Sequence, residues 1–294
     1  MTWLTPQRVE RGWTSRDAGD PTADGGCRYV LAMLADPDQL LPRPVLCVLG
    51  AGLDFDAVGR VAAETGAAAG FTLDEEYSER AHDPRMSYAF EASLAGASFT
   101  DADWAAVEAH DSVAYVLSRP LRAFTMPPQM LRPTLLEVSR ATLAVSAALL
   151  RSGATAVKNE SNGVAHGRDR WLSLADEAAA ATTDAELAGV LYRATVKRPI
   201  RAGQSSYSCG MHLLGAPDVE LLTTDGGVEE RVTLLDTLAL YLLTDERAAE
   251  MADGEGFRLT ADSPRWLLEH RPDDRHETDD LFHNPLGYWR LTPA

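Results

Sequence analysis

The chain has 294 residues, of which 45% are hydrophobic and 24% are charged, so its composition is that of an ordinary globular protein. Acidic side chains outnumber basic ones by 44 to 27, which gives a formal net charge of −17. Phosphate contacts need a basic footprint, so this charge argues against binding nucleic acid or an anionic membrane. It is compatible with a basic protein partner, although an acidic surface also simply keeps a protein soluble.

Cysteine usage and the N-terminus indicate the compartment. The three cysteines are widely spaced and form no CxxC motif, which favours a reducing environment. The N-terminus lacks an apolar signal core, and the most apolar helix candidate carries Arg140, so no membrane span is expected. The preference for arginine over lysine is typical of a GC-rich bacterial genome. We therefore expect a bacterial, cytosolic protein.

The sequence of the first part of the chain, up to residue 118, predicts mainly β-strands. Residues 1–26 are predicted to be an N-terminal segment with a mobile loop, because residues 14–26 are polar and rich in Gly, Pro and Asp. Met86, Tyr88 and Phe90 alternate with small or polar residues, which favours a half-buried strand. Thr100 followed by Asp103 is a capping-box signature that begins a helix. In chain order the predicted elements are strands at 27–35 and 44–50, a helix at 54–66, strands at 69–73 and 85–94, the helix after Thr100, and a strand at 112–118.

The second part contains the clearest helix, from Pro133 to Gly153. Its charged residues lie in one narrow sector, so the helix is expected to be largely buried. The strand after it, residues 154–158, is expected to be central. The remaining predictions are helices at 170–181 and 183–194, a strand at 206–214, a helix within 228–252, and terminal strands at 256–261 and 264–270.

This order of elements is not the steady strand–helix alternation of a doubly wound sheet. It predicts an α+β fold, with a mixed or mostly antiparallel sheet and long buried helices packed on one face. The chain can be divided into two α+β halves, residues 27–120 and 121–294. No break in composition separates them, so one continuous domain is equally compatible with the sequence.

Two short motifs resemble functional signatures. Gly50-Ala51-Gly52 lies between a strand and a helix, like the start of a dinucleotide fingerprint, but Phe55 occupies the third glycine position. A tight turn is favoured, and no cofactor is predicted. Cys209 and His212 are three residues apart on a predicted strand, where they would point to opposite faces. A buried structural cysteine is therefore favoured over a nucleophile.

The acidic tail is the densest cluster of potential metal ligands. Its candidates are His270, His276, Asp279 and His283, since imidazole and carboxylate together suit Zn²⁺, Mn²⁺ or Fe²⁺. Their spacing matches neither HExxH nor an EF-hand loop. A solvated acidic loop is the alternative. Farther along, Tyr288 and Trp289 are candidates for aromatic anchors of a binding surface.

Lys158 is one of only two lysines, and it ends an apolar strand beside Glu160. A desolvated lysine can act as a base or a nucleophile, and a turn at Asn162 could bring His166 near it. Lys158, Glu160 and His166 are therefore the candidate catalytic residues. A structural Lys–Glu tie at the end of the sheet is the alternative. Asn159 and Asn162 are candidates for a recognition surface, because loops often carry function.

Part of the second half resembles uncharacterised bacterial proteins that contain a domain of unknown function. The matching motifs are "ATAV" followed by Gly163, and the segment "GMHLLGAPDVE" from Gly210 to Glu220. The resemblance covers roughly residues 110–225. Lys158 and Asn159 depart from the aromatic residues of the family pattern. The resemblance implies an α+β fold and a bacterial cytosolic setting, and it assigns no catalytic residue.

Two functional hypotheses follow. The first is a protein that acts by protein–protein interaction, with an immunity-like or accessory role in a bacterial conflict or secretion system and a partner that is basic. The second is a metal-assisted or lysine-dependent hydrolase-like enzyme. A homo-oligomer is compatible with either hypothesis.

Overall fold

The computed structural model describes residues 40–93, 98–123, 126–222 and 227–294. Within these ranges the α-helices are α1 (Phe55–Thr65), α2 (Met86–Ser93), α3 (Asp101–Glu108), α4 (Leu131–Arg151), α5 (Arg168–Ala180), α6 (Asp184–Thr195) and α7 (Val228–Thr244). The strands are β1 (Val45–Gly50), β2 (Thr72–Glu79), β3 (Ser112–Leu117), β4 (Ala156–Asn159), β5 (Val164–Ala165), β6 (Lys197–Ala202), β7 (Ser205–Cys209), β8 (Asp218–Leu222), β9 (Gly256–Phe257), β10 (Trp266–Arg271) and β11 (Tyr288–Pro293).

The first sheet has the strand order β2-β3-β1-β4-β5, and all of its pairs are antiparallel. β1 is central, and its Cys47 lies opposite Lys158 of β4. Side chains alternate between the two faces of a strand. Leu46 and Val48 therefore join the main core with α1 and α4, whereas Cys47 and Leu49 contact α2 and α3. Helices thus cover both faces of this sheet.

The second sheet has the order β6-β7-β8-β11-β10-β9 and is mixed, because β8 and β11 are parallel. Val219 and Leu291 belong to its inner face, which packs on the core, and α7 contacts β8 and β6. The outer face is polar and carries the cross-strand row Tyr207, Glu220, Arg290 and Glu269. The segment 272–287 covers part of this row.

α4 connects the two sheets. It contacts α1, α5 and α6, and the short 3₁₀ turn Met211–Leu214. One hydrophobic cluster contains core residues of both sheets, from Leu46 to Leu291. β4 and β5 complete the first sheet although they follow residue 120 in the chain. The division of the chain into two halves, residues 27–120 and 121–294, stays a prediction.

The predicted α+β class is confirmed, as are the helices at 54–66, after Thr100, and from Pro133. The predicted strand at 85–94 is wrong. Residues 86–93 form α2, because Met86, Phe90 and Ser93 are spaced by four and three positions and share the buried face of a helix. The predicted strand at 206–214 ends at Cys209, since Gly210 has a φ of +119° and starts the 3₁₀ turn.

Four strands were missed: β5, β6, β8 and β11. β6 contains Pro199, which is unfavourable in the interior of a sheet. In the structure β6 is the edge strand of its sheet, where proline is tolerated. The predicted helix within 228–252 ends at Thr244 and continues as the 3₁₀ turn Glu246–Glu250. The predicted strand at 27–35 and the N-terminal segment 1–26 lie outside the described residues.

One helix in the described part of the chain is long and apolar enough to cross a membrane. It is α4, with a mean hydropathy of 1.2. More than half of this apolar stretch is buried against the rest of the protein. Burial of this kind is typical of a core helix and gives no clear signal of a membrane protein.

Candidate functional site

Lys158 and Glu160 form an ion pair on the face of the first sheet that α2 and α3 cover. The Lys158 Nζ lies 2.8 Å from Glu160 Oε2, and the two side chains are 8% and 24% exposed. The Cys47 thiol lies on the same face, and burial raises its pKa to about 12. Burial also raises the pKa of the neighbouring Tyr115 hydroxyl. Neither group supplies a nucleophile at neutral pH, because both stay protonated.

His166 does not join this pair. Its Nε2–H donates to the Ala194 carbonyl at 3.2 Å, and its ring meets the edge of Trp171 at a centroid distance of 4.7 Å. Desolvation lowers its pKa to about 4, so it is neutral at physiological pH. Arg170 and Arg198 are the charged side chains that lower this pKa further, whereas Lys158 has no influence on it. The three candidate catalytic residues are thus divided between two environments.

The turn between β4 and β5 is part of the core. Asn159 accepts a hydrogen bond from the Ser161 N–H at 3.0 Å, and Asn162 donates to the Thr195 carbonyl at 2.7 Å. Both asparagines are buried. Their side-chain hydrogen bonds hold the turn against α6, so they are not available as an exposed recognition surface in this conformation.

Tyr288 and Trp289 are also buried, at 1% and 2% exposure. They lie in β11, an interior strand of the second sheet, which explains why they cannot serve as exposed aromatic anchors. Trp289 packs on the core side against His270, with ring centroids 5.1 Å apart. The expectation of a binding surface at these two residues is therefore corrected by the position of β11.

The four predicted metal ligands are not brought together at one site. His276 and His283 approach Asp273, with their Nδ1 atoms 3.2 and 3.8 Å from its Oδ2. His270 lies apart from them and donates its Nε2–H to the Leu286 carbonyl at 2.9 Å, whereas Asp279 is exposed. Among the described residues, no group of three or more His, Cys, Asp or Glu side chains is placed to hold a metal ion.

A buried polar network anchors the segment 272–287 to the second sheet. Asp218 accepts hydrogen bonds from Ser208 Oγ at 2.8 Å and from Asn284 Nδ2 at 2.7 Å. Burial raises the pKa of Asp218 to about 6, although these donors favour its ionised form. Next to it, Arg275 stacks on the Tyr288 ring, with 3.7 Å from its Cζ to the ring centroid.

Glu220 lies at the centre of the outer face of this sheet. Its carboxylate oxygens are 2.5 Å from Arg290 Nε and 3.3 Å from Arg275 Nη2. Two cations thus share one buried acid, and Tyr288 lies beside both. Each arginine contacts both Glu220 and Tyr288, which makes the network a structural tie between the loop and the sheet.

Cys209 and His212 do not form a catalytic pair. Cys209 ends β7, and burial raises the pKa of its thiol well above the ordinary value. His212 is on the 3₁₀ turn, where its Nε2–H donates to the Ser161 carbonyl at 2.9 Å. Desolvation lowers its pKa to about 4. The sequence-based interpretation of both residues as structural agrees with these contacts.

An open depression of about 370 Å³ lies between α3, the end of α4 and the start of α5. Arg168 borders it, but its Nη1 already donates to the Leu150 carbonyl at 2.5 Å. The lining is otherwise made mainly of small residues, and it does not include Lys158, His166 or His276. This depression therefore does not gather the candidate catalytic side chains.

Among the described residues, β2 is an edge strand of the first sheet, and it presents a different feature that sequence reasoning missed. β2 carries Asp74, Glu75, Glu76 and Glu79, and its pairing with β3 is interrupted between Asp74 and Glu79. Glu75, Glu76 and Tyr77 lie in this bulge and are exposed, Tyr77 to 67%. The signal was visible in the sequence as four acids and one tyrosine within "LDEEYSE". We call residues 74–79 the acidic edge.

Comparison with protein-family models, with curated proteins and with solved structures gives no match for this chain.

Proposed function

We propose that this protein acts by binding a basic protein partner through the acidic edge. The observation that carries the proposal is the bulge of β2, which holds Glu75, Glu76 and Tyr77 out in solvent at the end of a sheet. Exposed tyrosines are enriched at the centres of protein interfaces, and uncompensated acids attract and orient a basic partner.

The charges of the acidic edge support this proposal. Asp74 accepts hydrogen bonds from the Glu76 and Tyr77 N–H groups at 3.1 and 3.2 Å, so its carboxylate shapes the bulge. Glu75 and Glu76 have no basic side chain paired with them among the described contacts. An acidic bulge also protects a free sheet edge from aggregation, so a test must separate the two roles.

The setting of the proposal is a bacterial cytosol. The partner would be a basic protein such as a toxin of a conflict or secretion system, with this chain as its immunity-like or accessory protein. The overall charge of −17 fits such a partner, because electrostatic complementarity speeds association and selects against other acidic proteins.

The test compares the wild type with the variant Glu75→Lys/Glu76→Lys/Tyr77→Ala in pull-downs from lysate of the native host. Glu246→Lys/Glu250→Lys is the matched control, since both glutamates are exposed and the charge change of the two reversals is the same. We expect a basic protein to be captured stoichiometrically by the wild type and the control, with binding that weakens as salt rises.

The acidic-edge variant should lose the partner while keeping the wild-type unfolding midpoint. Equal capture by all three proteins would refute the role of the acidic edge. A folded variant that aggregates without changing partner binding would instead identify the acidic bulge as edge protection. If no protein is captured, Lys158 and Glu160 become the residues to assay for hydrolase activity.

A further inference from the structure

The bulge of the acidic edge leaves two carboxylates without a basic partner. Asp74 accepts hydrogen bonds from the Glu76 and Tyr77 N–H groups at 3.1 and 3.2 Å, so its charge is used inside the bulge. The Glu75 and Glu76 side chains are exposed, and neither forms an ion pair with another described residue. Two neighbouring carboxylates repel each other, and a cation that lies between them relieves this repulsion.

Tyr77 adds an aromatic surface to these charges. It is 67% exposed, and it follows Glu76 directly in the chain. An exposed tyrosine ring can pack on a second aromatic ring or on an arginine guanidinium. The acidic edge therefore matches a peptide that carries arginine and an aromatic residue close together.

Residues 1–16 of this chain have that composition, and they lie outside the described residues. Their charged side chains are Arg8, Arg11, Arg16 and Glu10, so the segment has a formal charge of +2 in a chain whose total is −17. The segment also contains two tryptophans, one of them two positions after Arg11. It is thus complementary to the acidic edge in charge and in aromatic content.

The described chain begins near the strand that carries the acidic edge. Leu40, its first residue, forms a β-bridge with Arg122. This bridge lies five residues beyond Leu117, the last residue of β3, which pairs with Thr72 at the start of β2. Residues 17–39 connect the segment to Leu40 and can span up to about 75 Å. Residues 1–16 can therefore reach the acidic edge of their own molecule.

We propose that residues 1–16 bind the acidic edge of the same molecule and are displaced by the basic partner. This inference rests on the proposed function, because it describes how that binding site is regulated. The arginines of the segment lie against Glu75 and Glu76, and a tryptophan packs on the Tyr77 ring. Since the segment is covalently tethered, its effective concentration at the edge is about 1 mM, and a partner has to compete with it.

The test is limited digestion of the full chain with trypsin, which cleaves after arginine and lysine. Mass spectrometry follows cleavage after Arg8, Arg11 and Arg16 at low ionic strength. If the tethered segment binds with a Kd of about 0.1 mM, it is cut about tenfold more slowly than an unbound segment. We expect this protection in the wild type, and we expect it to disappear as salt rises, because exposed charges are then screened.

Two variants locate the protection. Glu75→Gln/Glu76→Gln removes the two unpaired charges without creating a trypsin site, so cleavage within residues 1–16 should be about tenfold faster than in the wild type. Glu246→Gln/Glu250→Gln is the matched control, because it removes two exposed carboxylates elsewhere, and it should be cut like the wild type. Thermal unfolding of each protein confirms that all three are folded to the same extent.

The digestion contains no partner, so its result is independent of the proposed function. Equal cleavage rates in the wild type and Glu75→Gln/Glu76→Gln overturn the inference, whatever the pull-down shows. Protection that depends on the two glutamates supports it, and the pull-down then decides separately whether an external basic protein binds the same edge. In that pull-down Arg8→Gln/Arg11→Gln should bind the partner about tenfold more tightly than the wild type. Equal affinity would count against competition between the segment and the partner.

Discussion

Replacing Lys158 by methionine tests whether the Lys158–Glu160 pair is a structural tie. The pair is buried on the Lys158 side, with 8% exposure, and partly solvated on the Glu160 side, with 24%. Breaking a buried ion pair costs about 3–5 kcal/mol, because one charge is left uncompensated. Since water reaches Glu160, we expect a smaller loss, about 2–3 kcal/mol in the free energy of unfolding.

A double-mutant cycle isolates the interaction. Lys158→Met/Glu160→Gln removes both charges, so it should be less destabilised than the sum of the single variants, by about 1–2 kcal/mol. The exposed pair Arg140–Glu137 on α4 is the matched control, with side chains 53% and 57% exposed. The corresponding cycle there should give a coupling of only about 0.2–0.5 kcal/mol.

Urea unfolding followed by circular dichroism measures all of these variants. A structural tie also predicts that binding to the proposed basic partner is unchanged in Lys158→Met. The reasoning is refuted if Lys158→Met is as stable as the wild type, or if the two single losses are additive. A stable Lys158→Met protein without function would instead restore the catalytic interpretation.

The remaining predictions concern pH, the turn at Gly215 and a helix cap. The folded-state pKa values of His166 and His212 are lowered to about 4, so both contribute stability that is present above their ordinary pKa of 6.5 and is lost as the pH falls toward 4. Asp218 acts in the opposite direction, because its folded-state pKa is raised to about 6 and its contribution is lost as the pH rises through that value. When the pH falls from 7 to 5, each histidine should lower the free energy of unfolding by roughly 2 kcal/mol, and Asp218 should raise it by roughly 1 kcal/mol. Urea unfolding at the two pH values should therefore show a net loss of stability of about 2–3 kcal/mol at pH 5. A midpoint that is the same at both pH values would contradict the burial of the two imidazoles. Gly215→Ala should lower the free energy of unfolding by roughly 3 kcal/mol, because the backbone has a positive φ and the new Cβ would meet Arg132. Gly153→Ala is the control: its φ is +116° but the space around it is open, so it should lose only the backbone contribution, about 1–2 kcal/mol. Equal losses in the two variants would contradict the steric argument. Thr100→Ala should cost about 1 kcal/mol by breaking the capping box with Asp103, and calorimetry showing no loss would exclude that role.

Except for α2, which the sequence pattern mistook for a strand, local signals located the α-helices of the described residues before any tertiary contact was considered. Thr100 and Asp103 cap α3 as their spacing predicted, and the Pro133–Gly153 pattern located α4 within two residues at each end. These features depend on hydrogen bonds and side-chain spacing over about four residues, so a single sequence is sufficient to recognise them. The Lys158–Glu160 ion pair was predictable for the same reason, since the two residues are neighbours on one strand end.

Only the tertiary structure decided which side chains are available for function. Tyr288 and Trp289 were candidates for a surface, but β11 lies between β8 and β10 and buries both. Glu220 meets Arg290 across 70 positions of the chain, and His166 is separated from Lys158 by its contact with α6. Strand order and register are set by packing between distant segments, and no local pattern contains that information. The composition of the acidic edge was visible in the sequence. Its exposure was not, because that depends on the position of β2 as an edge strand of the first sheet among the described residues.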